Sequence, residues 1–464
     1  MKERDYDLAV IGSGPAGHHA AIAAAKLGKN VAIVERRHRV GGVCLHTGTI
    51  PSKSLREAIL YLTGHRLKGI YGYDYRVKQD ITIDDLLFRA NHVVQHELGV
   101  LKSQMRRNGV NLLAGLARFV DPHTLHIEAP DDARQITADS IIIACGTEPA
   151  RSSAIPFDDE TIVDNSGILK LKRIPKSMLV VGGGVIGLEY ACMFAILGVE
   201  VTVIEQRPRV LDFVDAQISD ALVYHMRNTG VTLRLGETVV DLVKVADGPN
   251  RVSAILDSGK RVRGEVLLYA IGRQGTAPWL NLEAAGLDCD QRGRIKVDQQ
   301  FRTQVEHIYA VGDVIGFPSL ASTAMEQGRL AACHAFCVSC QAYPQHYPYG
   351  IYTVPEISMV GGNEQEFTQA KVPYEVGLAN FREIAKGQII GAQTGMLKLL
   401  VGLETHEILG VHAIGEQATE IIHIGQAVMA LGGTVEYLRD AVFNYPTMAE
   451  CYKVAAFDAI NKLE

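Results

Sequence analysis

The chain has no run approaching the roughly 20 uninterrupted apolar residues that a membrane-spanning helix needs. Its most apolar stretches, Ser140–Cys145 and Met178–Val181, are short and run into glycine, so they read as buried strands. Excess positive charge is also missing. The 46 Lys and Arg against 52 Asp and Glu give a net charge of -6. That leaves no electrostatic footprint for nucleic acid and no basic face for a membrane surface. The opening residues, MKERDYDLAVIGSG, carry too many charges for a secretory leader, so the expectation is a cytoplasmic protein. Cysteine is sparse. The eight cysteines, Cys44, Cys145, Cys192, Cys289, Cys333, Cys337, Cys340 and Cys451, are scattered through 464 residues, unlike the framework of a small secreted scaffold. Three of them cluster, with His334 between Cys333 and Cys337. No second ligand pair follows at a zinc-like spacing, and Gln327–Cys340 has helical composition. Packing is therefore the expected role of these thiols, and no metal centre is expected.

What is present is a repeated unit. Strand-like Leu8–Ile11 leads to Gly12-Ser13-Gly14-Pro15-Ala16-Gly17, a helical stretch Ala20–Leu27, and a strand Val31–Val34 that ends at Glu35. Met178–Val181 leads to Gly182-Gly183-Gly184-Val185-Ile186-Gly187, a helix Glu189–Leu197, and a strand Val201–Ile204 that ends at Glu205. One GxGxxG is a weak signal. Two copies are a strong one when each follows a strand, opens a helix and precedes an acidic residue. The first glycine permits a tight turn, the second lets the backbone approach a pyrophosphate, and the third lets helix and strand pack closely. The helix N-terminus offers free N–H groups to phosphate, and the carboxylate accepts from ribose hydroxyls.

Further strands run into turns at Ile141–Ile143, Val266–Ala270 and His307–Val311, the last ending at Gly312-Asp313. Tyr343–Tyr349 is rich in proline and tyrosine and reads as a linker. Beyond it, strand-like Leu397–Leu400 and Gly410–Ile414 mix with helical Glu420–Leu431 and Met448–Lys462. The expected fold is α/β: two Rossmann-like dinucleotide-binding domains and a C-terminal α+β dimerisation domain. The expected boundaries are 1–150 with 275–340 for FAD, 151–274 for NAD(P), and 341–464 for dimerisation.

With these pieces placed, the chain resembles the pyridine nucleotide–disulfide oxidoreductases along essentially its whole length. The resemblance implies FAD bound by Gly12, Gly14, Gly17, Glu35, Thr147 and Asp313, with Cys44, Thr49 and Lys53 beside the flavin. It implies a nicotinamide nucleotide, NAD(H) or NADP(H), held by Gly182, Gly184, Gly187, Glu205, Arg207 and Gly272. It pairs Lys53 with Glu189, and it brings Tyr445 and Glu450 to the flavin from a dimer partner. The implied assembly is a homodimer, with larger homo-oligomers left open.

The departures are informative. Disulfide-reducing members carry a second cysteine five positions after the first; here that position is Thr49. A dithiol cannot cycle with one sulfur, because exchange needs an attacking thiolate and a resolving partner. The histidine that such members carry before Pro-Thr is here Tyr445, a poor base at neutral pH. One branch, the soluble pyridine nucleotide transhydrogenases, shows this combination, and Gly48–Lys53, Val314–Ser322, Gly350–Ser358 and Phe443–Glu450 resemble theirs. The implied reaction passes hydride between NADPH/NADP+ and NAD+/NADH by ping-pong use of one nicotinamide site. An NAD(P)H oxidase or diaphorase, a redox-sensing flavoprotein without catalysis, and chemistry through a Cys44 sulfenate stand as alternatives. Glu205 favours the free 2′-hydroxyl of NAD, whereas Arg207 and Arg209 are candidates either for a 2′-phosphate or for solvated surface charge.

Overall fold

The computed structural model describes residues 4–37, 39–72, 74–129, 133–152, 155–245, 251–340, 342–392 and 394–463. The chain forms two compact units. One comprises Met1–Leu55, Leu87–Arg151 and Gly272–Tyr343; the other comprises Arg56–Leu86, Ser152–Ile271 and Pro344–Glu464.

In the first unit, strands Asn111–Ala114, Val31–Glu35, Tyr6–Ile11 and Ala133–Ile143 lie side by side in that order, and Ile308–Ala310 adds to the last. All of these pairings are parallel. Leu8, Ala9, Val10, Ile33 and Ile141–Ile143 have no exposed surface, which is the continuous apolar pattern of a sheet covered on both faces. The strand Ala133–Ile143 belongs to two ladders. Its second half pairs parallel with Tyr6–Ile11, while Ala133–Thr137 pairs antiparallel with Thr124–Glu128, itself hairpinned to Leu116–Asp121.

The second unit repeats the first arrangement. Strands Thr232–Leu235, Glu200–Glu205, Ser177–Val181, Val266–Tyr269 and Ile162–Val163 form a parallel sheet in that order. An antiparallel three-stranded sheet follows Thr232–Leu235, made by Val239–Lys244, Val252–Leu256 and Arg261–Gly264. The C-terminal part is a five-stranded antiparallel sheet in the order Tyr349–Ile351, Ile357–Gly361, Ile408–Ile414, Met396–Gly402, Tyr374–Asn380. Helices Ala418–Ala430 and Glu450–Leu463 pack on it. The expected fold class is therefore the observed one.

Within this second unit, Lys398 and Asp215 are fully buried and paired, Nζ to Oδ1 at 2.9 Å, with Glu364 Oε1 3.0 Å from the same ammonium. Asp215 also caps helix Ala216–Asn228 by accepting from the backbone N–H groups of Gln217 and Ile218. A strand of the C-terminal sheet is thereby tied to a helix of the nucleotide-binding fold by the Lys398–Asp215 pair, which has no access to water.

One element differs from its expectation. The helix expected to continue through Cys340 spans Ala321–Ala335 and stops there. Cys337 adopts a left-handed conformation with φ 53°. Its N–H donates to His334 O at 3.2 Å, and Val338 N–H donates to Cys333 O at 2.9 Å. This pair of bonds is a Schellman closure, which satisfies the last carbonyls and turns the chain away from the helix axis. The missed signal is structural: glycine usually holds that position, and here a cysteine does. Among the described residues, no helix is long and apolar enough to cross a membrane.

Candidate functional site

The first glycine turn separates packing from binding. A Cβ on Gly12 would stand 2.4 Å from the Ala144 carbonyl oxygen, and one on Gly17 would stand 1.9 Å from the Gly12 carbonyl oxygen. Gly12 also has φ 105°, which disfavours a side chain in any case. Gly14 is different: its nearest neighbour would be Gly42 Cα at 4.0 Å. The outer glycines are thus demanded by the fold, whereas the middle one faces open space. Helix Pro15–Lys26 starts there with no side-chain cap, leaving first-turn N–H groups for an anion. Glu35 ends the neighbouring strand, 7% exposed. One of its oxygens accepts from Ser13 N–H at 3.0 Å and from the Ser13 hydroxyl; the other accepts from Arg37 N–H at 2.9 Å.

These groups line a cleft that also receives Cys44, Thr49, Thr147 and Asp313. Thr147 Oγ1 donates to Asp313 Oδ2 at 3.1 Å and accepts from Arg273 Nε at 2.7 Å; Arg273 Nη2 donates to the Thr147 carbonyl at 2.8 Å. The network gives the Asp313 carboxylate a fixed orientation at the cleft wall. Across the same cleft, the Arg36 guanidinium lies 4.3 Å from the centre of the Trp279 ring, a cation–π geometry. Sequence reasoning missed Arg36, Arg273 and Trp279 as site residues. The available signals were the residue directly after Glu35, the arginine after Gly272, and the single tryptophan of the chain.

Cys44 lies in the short helix Gly42–His46, and Thr49 opens helix Thr49–Leu62. Burial raises the Cys44 thiol above its ordinary range, although the Thr49 hydroxyl bond works the other way. A raised thiol stays protonated near neutral pH, and only the thiolate is nucleophilic. Lys53, one turn after Thr49, is half-buried with Nζ 3.3 Å from Ser52 Oγ.

The second repeat has the same division of labour. A Cβ on Gly182 would meet Ala270 O at 2.5 Å and one on Gly187 would meet Gly182 O at 2.0 Å, yet Gly184 has nothing within 4 Å. Glu205 is 4% exposed. Its Oε2 accepts from Gly183 N–H at 2.6 Å, and its Oε1 accepts from Arg207 N–H and Nε, both at 2.9 Å. Arg207 is shared, because Nη1 also bonds Asp212 Oδ1 at 2.7 Å. Glu205 is partly desolvated, but the arginine and the two backbone donors outweigh this and hold its carboxyl below the usual range. Arg209 is occupied elsewhere, by Asp220 at 2.6 Å and by the Ala216 carbonyl.

Glu189 is buried in helix Val185–Ile196, where its Oε1 accepts from Tyr352 N–H at 2.8 Å. Gly272 has φ 146°, and its carbonyl accepts from Ala150 N–H at 3.1 Å; it precedes strand Arg273–Gly275, which pairs with Thr147–Pro149. Tyr445 is 76% exposed. Glu450 opens the last helix and accepts from Thr447 N–H at 3.0 Å. Among the described residues, no group of three or more His, Cys, Asp or Glu is arranged to hold a metal ion.

Two cradles with an open middle glycine, each beside a buried carboxylate, fit the phosphate and ribose groups of two dinucleotides. Comparison with known proteins agrees. Residues 6–328 match the family model described as pyridine nucleotide-disulphide oxidoreductase, and residues 347–456 match the dimerisation domain of that family. A protein of Mycobacterium tuberculosis named soluble pyridine nucleotide transhydrogenase is 55% identical over 99% of this chain and 98% of its own length. One of Colwellia psychrerythraea with the same name is 46% identical over 100% of this chain and 99% of its own. Among solved structures, LpdA of Mycobacterium tuberculosis superposes with a TM-score of 0.89 at 25% identity, covering 97% of this chain and 99% of that one. The HOCl-induced flavoprotein disulfide reductase RclA of Escherichia coli gives 0.87 at 26%, with coverages of 97% and 99%. The chain belongs to the pyridine nucleotide–disulphide oxidoreductase family.

Proposed function

We propose that this chain is an FAD-dependent pyridine nucleotide transhydrogenase, taking hydride from NADPH or NADH and returning it to NAD+ or NADP+ at one nicotinamide site used twice. The observation that carries the reading is the pair of intact dinucleotide cradles combined with a lone half-buried thiol in the first cleft's helix Gly42–His46, Cys44, whose potential partner position is Thr49. The full-length relatives named as transhydrogenases support it. Bound FAD supplies a two-electron acceptor and donor for the nicotinamide ring.

The residues then have distinct tasks. Gly12 and Gly17 shape the turn that lets Gly14 and the first-turn N–H groups of helix Pro15–Lys26 approach the FAD pyrophosphate, Glu35 holds its ribose, and Asp313, oriented by Thr147 and Arg273, holds its polyol chain. Lys53 supplies a positive charge beside the flavin, which favours the anionic reduced form. Cys44 and Thr49 fill the flavin's flank without exchanging electrons. Gly182, Gly184 and Gly187 hold the nicotinamide nucleotide pyrophosphate, Glu205 and Arg207 face its adenosine ribose, and Gly272 leaves room at the turn. Glu189, buried near the start of its helix, shapes the nicotinamide end. Tyr445 and Glu450 act across a homodimer. Exposed Leu431, Tyr437 and Val442 support such an assembly, since all lie in the stretch matching the dimerisation domain.

Stopped-flow reduction of the purified yellow protein by NADPH, then by NADH, followed by reoxidation with the opposite oxidised nucleotide, tests the reading. Both half-reactions should run at rates compatible with steady-state turnover. Reduction without reoxidation by NAD(P)+ would overturn it.

A further inference from the structure

The loop that joins strands Tyr349–Ile351 and Ile357–Gly361 is largely buried, whereas connecting segments normally run over the surface. Thr353 has no exposed surface, and Val354 and Glu356 are buried with it. Buried loop backbone must find partners for its polar groups, since no strand ladder supplies them. Here the partners are specific. Tyr352 N–H donates to Glu189 Oε1 at 2.8 Å, and the Pro355 carbonyl accepts from Thr353 Oγ1 at 2.7 Å. The Glu356 carbonyl accepts from Gly415 N–H at 2.9 Å. The Thr353 carbonyl accepts from Arg56 Nε at 3.1 Å.

Arg56 is itself buried, and it makes a second contact with the loop: its Nη2 lies 3.4 Å from Glu356 Oε2. Its Nη1 donates to Glu57 Oε1 at 2.7 Å. The other Glu356 oxygen, Oε1, accepts from Thr419 Oγ1 at 3.2 Å and from Thr419 N–H at 3.4 Å. Burial pushes the Glu356 carboxyl above its ordinary range, while the arginine and the threonine oppose that push. One guanidinium therefore grips the loop at two points, a backbone carbonyl and a carboxylate. The planar fork of arginine suits this double hold, whereas lysine offers a single point charge. The first residue of the gripped loop carries the N–H that Glu189 accepts. Arg56 also follows Lys53 by one turn in helix Thr49–Leu62.

We propose that Arg56 is a positioning residue for hydride transfer: by holding the Thr353 carbonyl and the Glu356 carboxylate, it fixes the loop whose Tyr352 N–H orients Glu189. This role presupposes that Glu189 shapes the nicotinamide end, as proposed for the transhydrogenase reaction. A misplacement of about 1 Å can cost on the order of 100-fold in rate, so partial release of the loop should cost about tenfold.

The test uses the FAD-loaded enzyme and follows flavin reduction by saturating NADH in stopped flow. Arg56→Met alone leaves Glu356 buried without its counter-ion and lowers stability in its own right. Arg56→Met with Glu356→Gln removes that unpaired charge. The melting temperature of this double variant should return toward the parent's, while flavin reduction stays about tenfold slow. Amide exchange read by mass spectrometry is the second readout: the peptide covering residues 350–358 should exchange about tenfold faster than in the parent. In a Glu189→Ala background, the same double substitution should change the rate by less than about twofold, because the group it acts through is gone. Parent-like reduction or exchange in the double variant would overturn the proposal, and so would an undiminished factor in the Glu189→Ala background. Glu189→Ala with parent-like flavin reduction would refute the role given to Glu189, and the proposal with it. Flavin reduction is common to a diaphorase, so a failure of NAD(P)+ to reoxidise the parent would sink the transhydrogenase reading and leave the Arg56 factor standing.

Discussion

Replacing Asp212 by asparagine should move nucleotide preference toward NADPH. In the folded chain Arg207 stands between two carboxylates, 2.9 Å from Glu205 and 2.7 Å from Asp212. The three side chains carry a net charge of one negative unit. Neutralising Asp212 brings that sum to zero and releases Nη1 of Arg207 to bond a 2′-phosphate. Removing one charge some 8 Å from a dianion, at a dielectric between bulk water and the protein surface, is worth roughly 1–2 kcal/mol. Asp212 is 54% exposed, so screening takes the expected effect to about 0.5–1.5 kcal/mol. That corresponds to a shift of about twofold to tenfold in the ratio of kcat/KM for NADPH to kcat/KM for NADH. Flavin reduction at saturation should stay unchanged, because Asp212 serves the adenosine end. Measuring the ratio at low and high ionic strength adds a control, since the shift should shrink with salt. A ratio that does not move, or one that moves toward NADH, would show that Arg207 does not face the ribose.

Other perturbations separate fold from function. Gly14→Val should give a folded protein that has lost most of its FAD absorbance, since the added side chain meets open space rather than backbone; Gly17→Val should fail to fold, and a soluble yellow Gly17→Val protein would contradict the packing argument. Cys44→Ser should keep transhydrogenation within about twofold of the parent in a steady-state assay, because a protonated thiol with no second sulfur beside it at position 49 contributes no electrons. Lys398→Ala should lower stability by about 3–5 kcal/mol in denaturant melts, because it leaves Asp215 buried without its counter-ion, with only the helix-cap N–H groups to hold it. His18 is 5% exposed, and burial lowers its pKa to about 4. The unfolded chain takes up that proton below pH ~6.5 while the folded chain does not, so His18's share of stability falls as pH drops from there toward 4. His18→Gln should flatten that part of a stability–pH curve, and an unaltered slope would place the cost on another group.

The two glycine turns were legible because their constraints are local: Gly17 meets Gly12, and Gly187 meets Gly182, five residues away in each case. The carboxylates were legible for the same reason, since strand and turn bring Glu35 to Ser13 and Glu205 to Gly183. Contacts closed over long separations left no pattern to read. The Arg273–Thr147 bond spans 126 positions, and Thr147–Asp313 spans 166. Lys398 sits in the run Met396–Gly402, where an alternating pattern places a lysine in water, yet it is buried by pairing with Asp215, 183 positions away. The helix Ile83–Arg107 went unremarked because polar side chains crowd its length and the repeat logic assigns it no place. The end of the helix at Ala335 was hidden by a cysteine at a position that usually announces itself with glycine.

The strand shared by two ladders, Ala133–Ile143, governs the order in which the chain can be completed as it is made. Its parallel neighbour Ile308–Ala310 lies more than 160 residues downstream. On an emerging polypeptide, one edge of that sheet stays unpaired while everything from Ile162 to Tyr269 is synthesised. The intervening parallel sheet has all its strands within that interval and closes without waiting. The first glycine turn to leave the ribosome is therefore the last to receive its complete wall. Until Asp313 arrives, an exposed apolar edge needs shelter, which makes the interval between the two syntheses the stage at which chaperone capture or FAD supply would most affect yield.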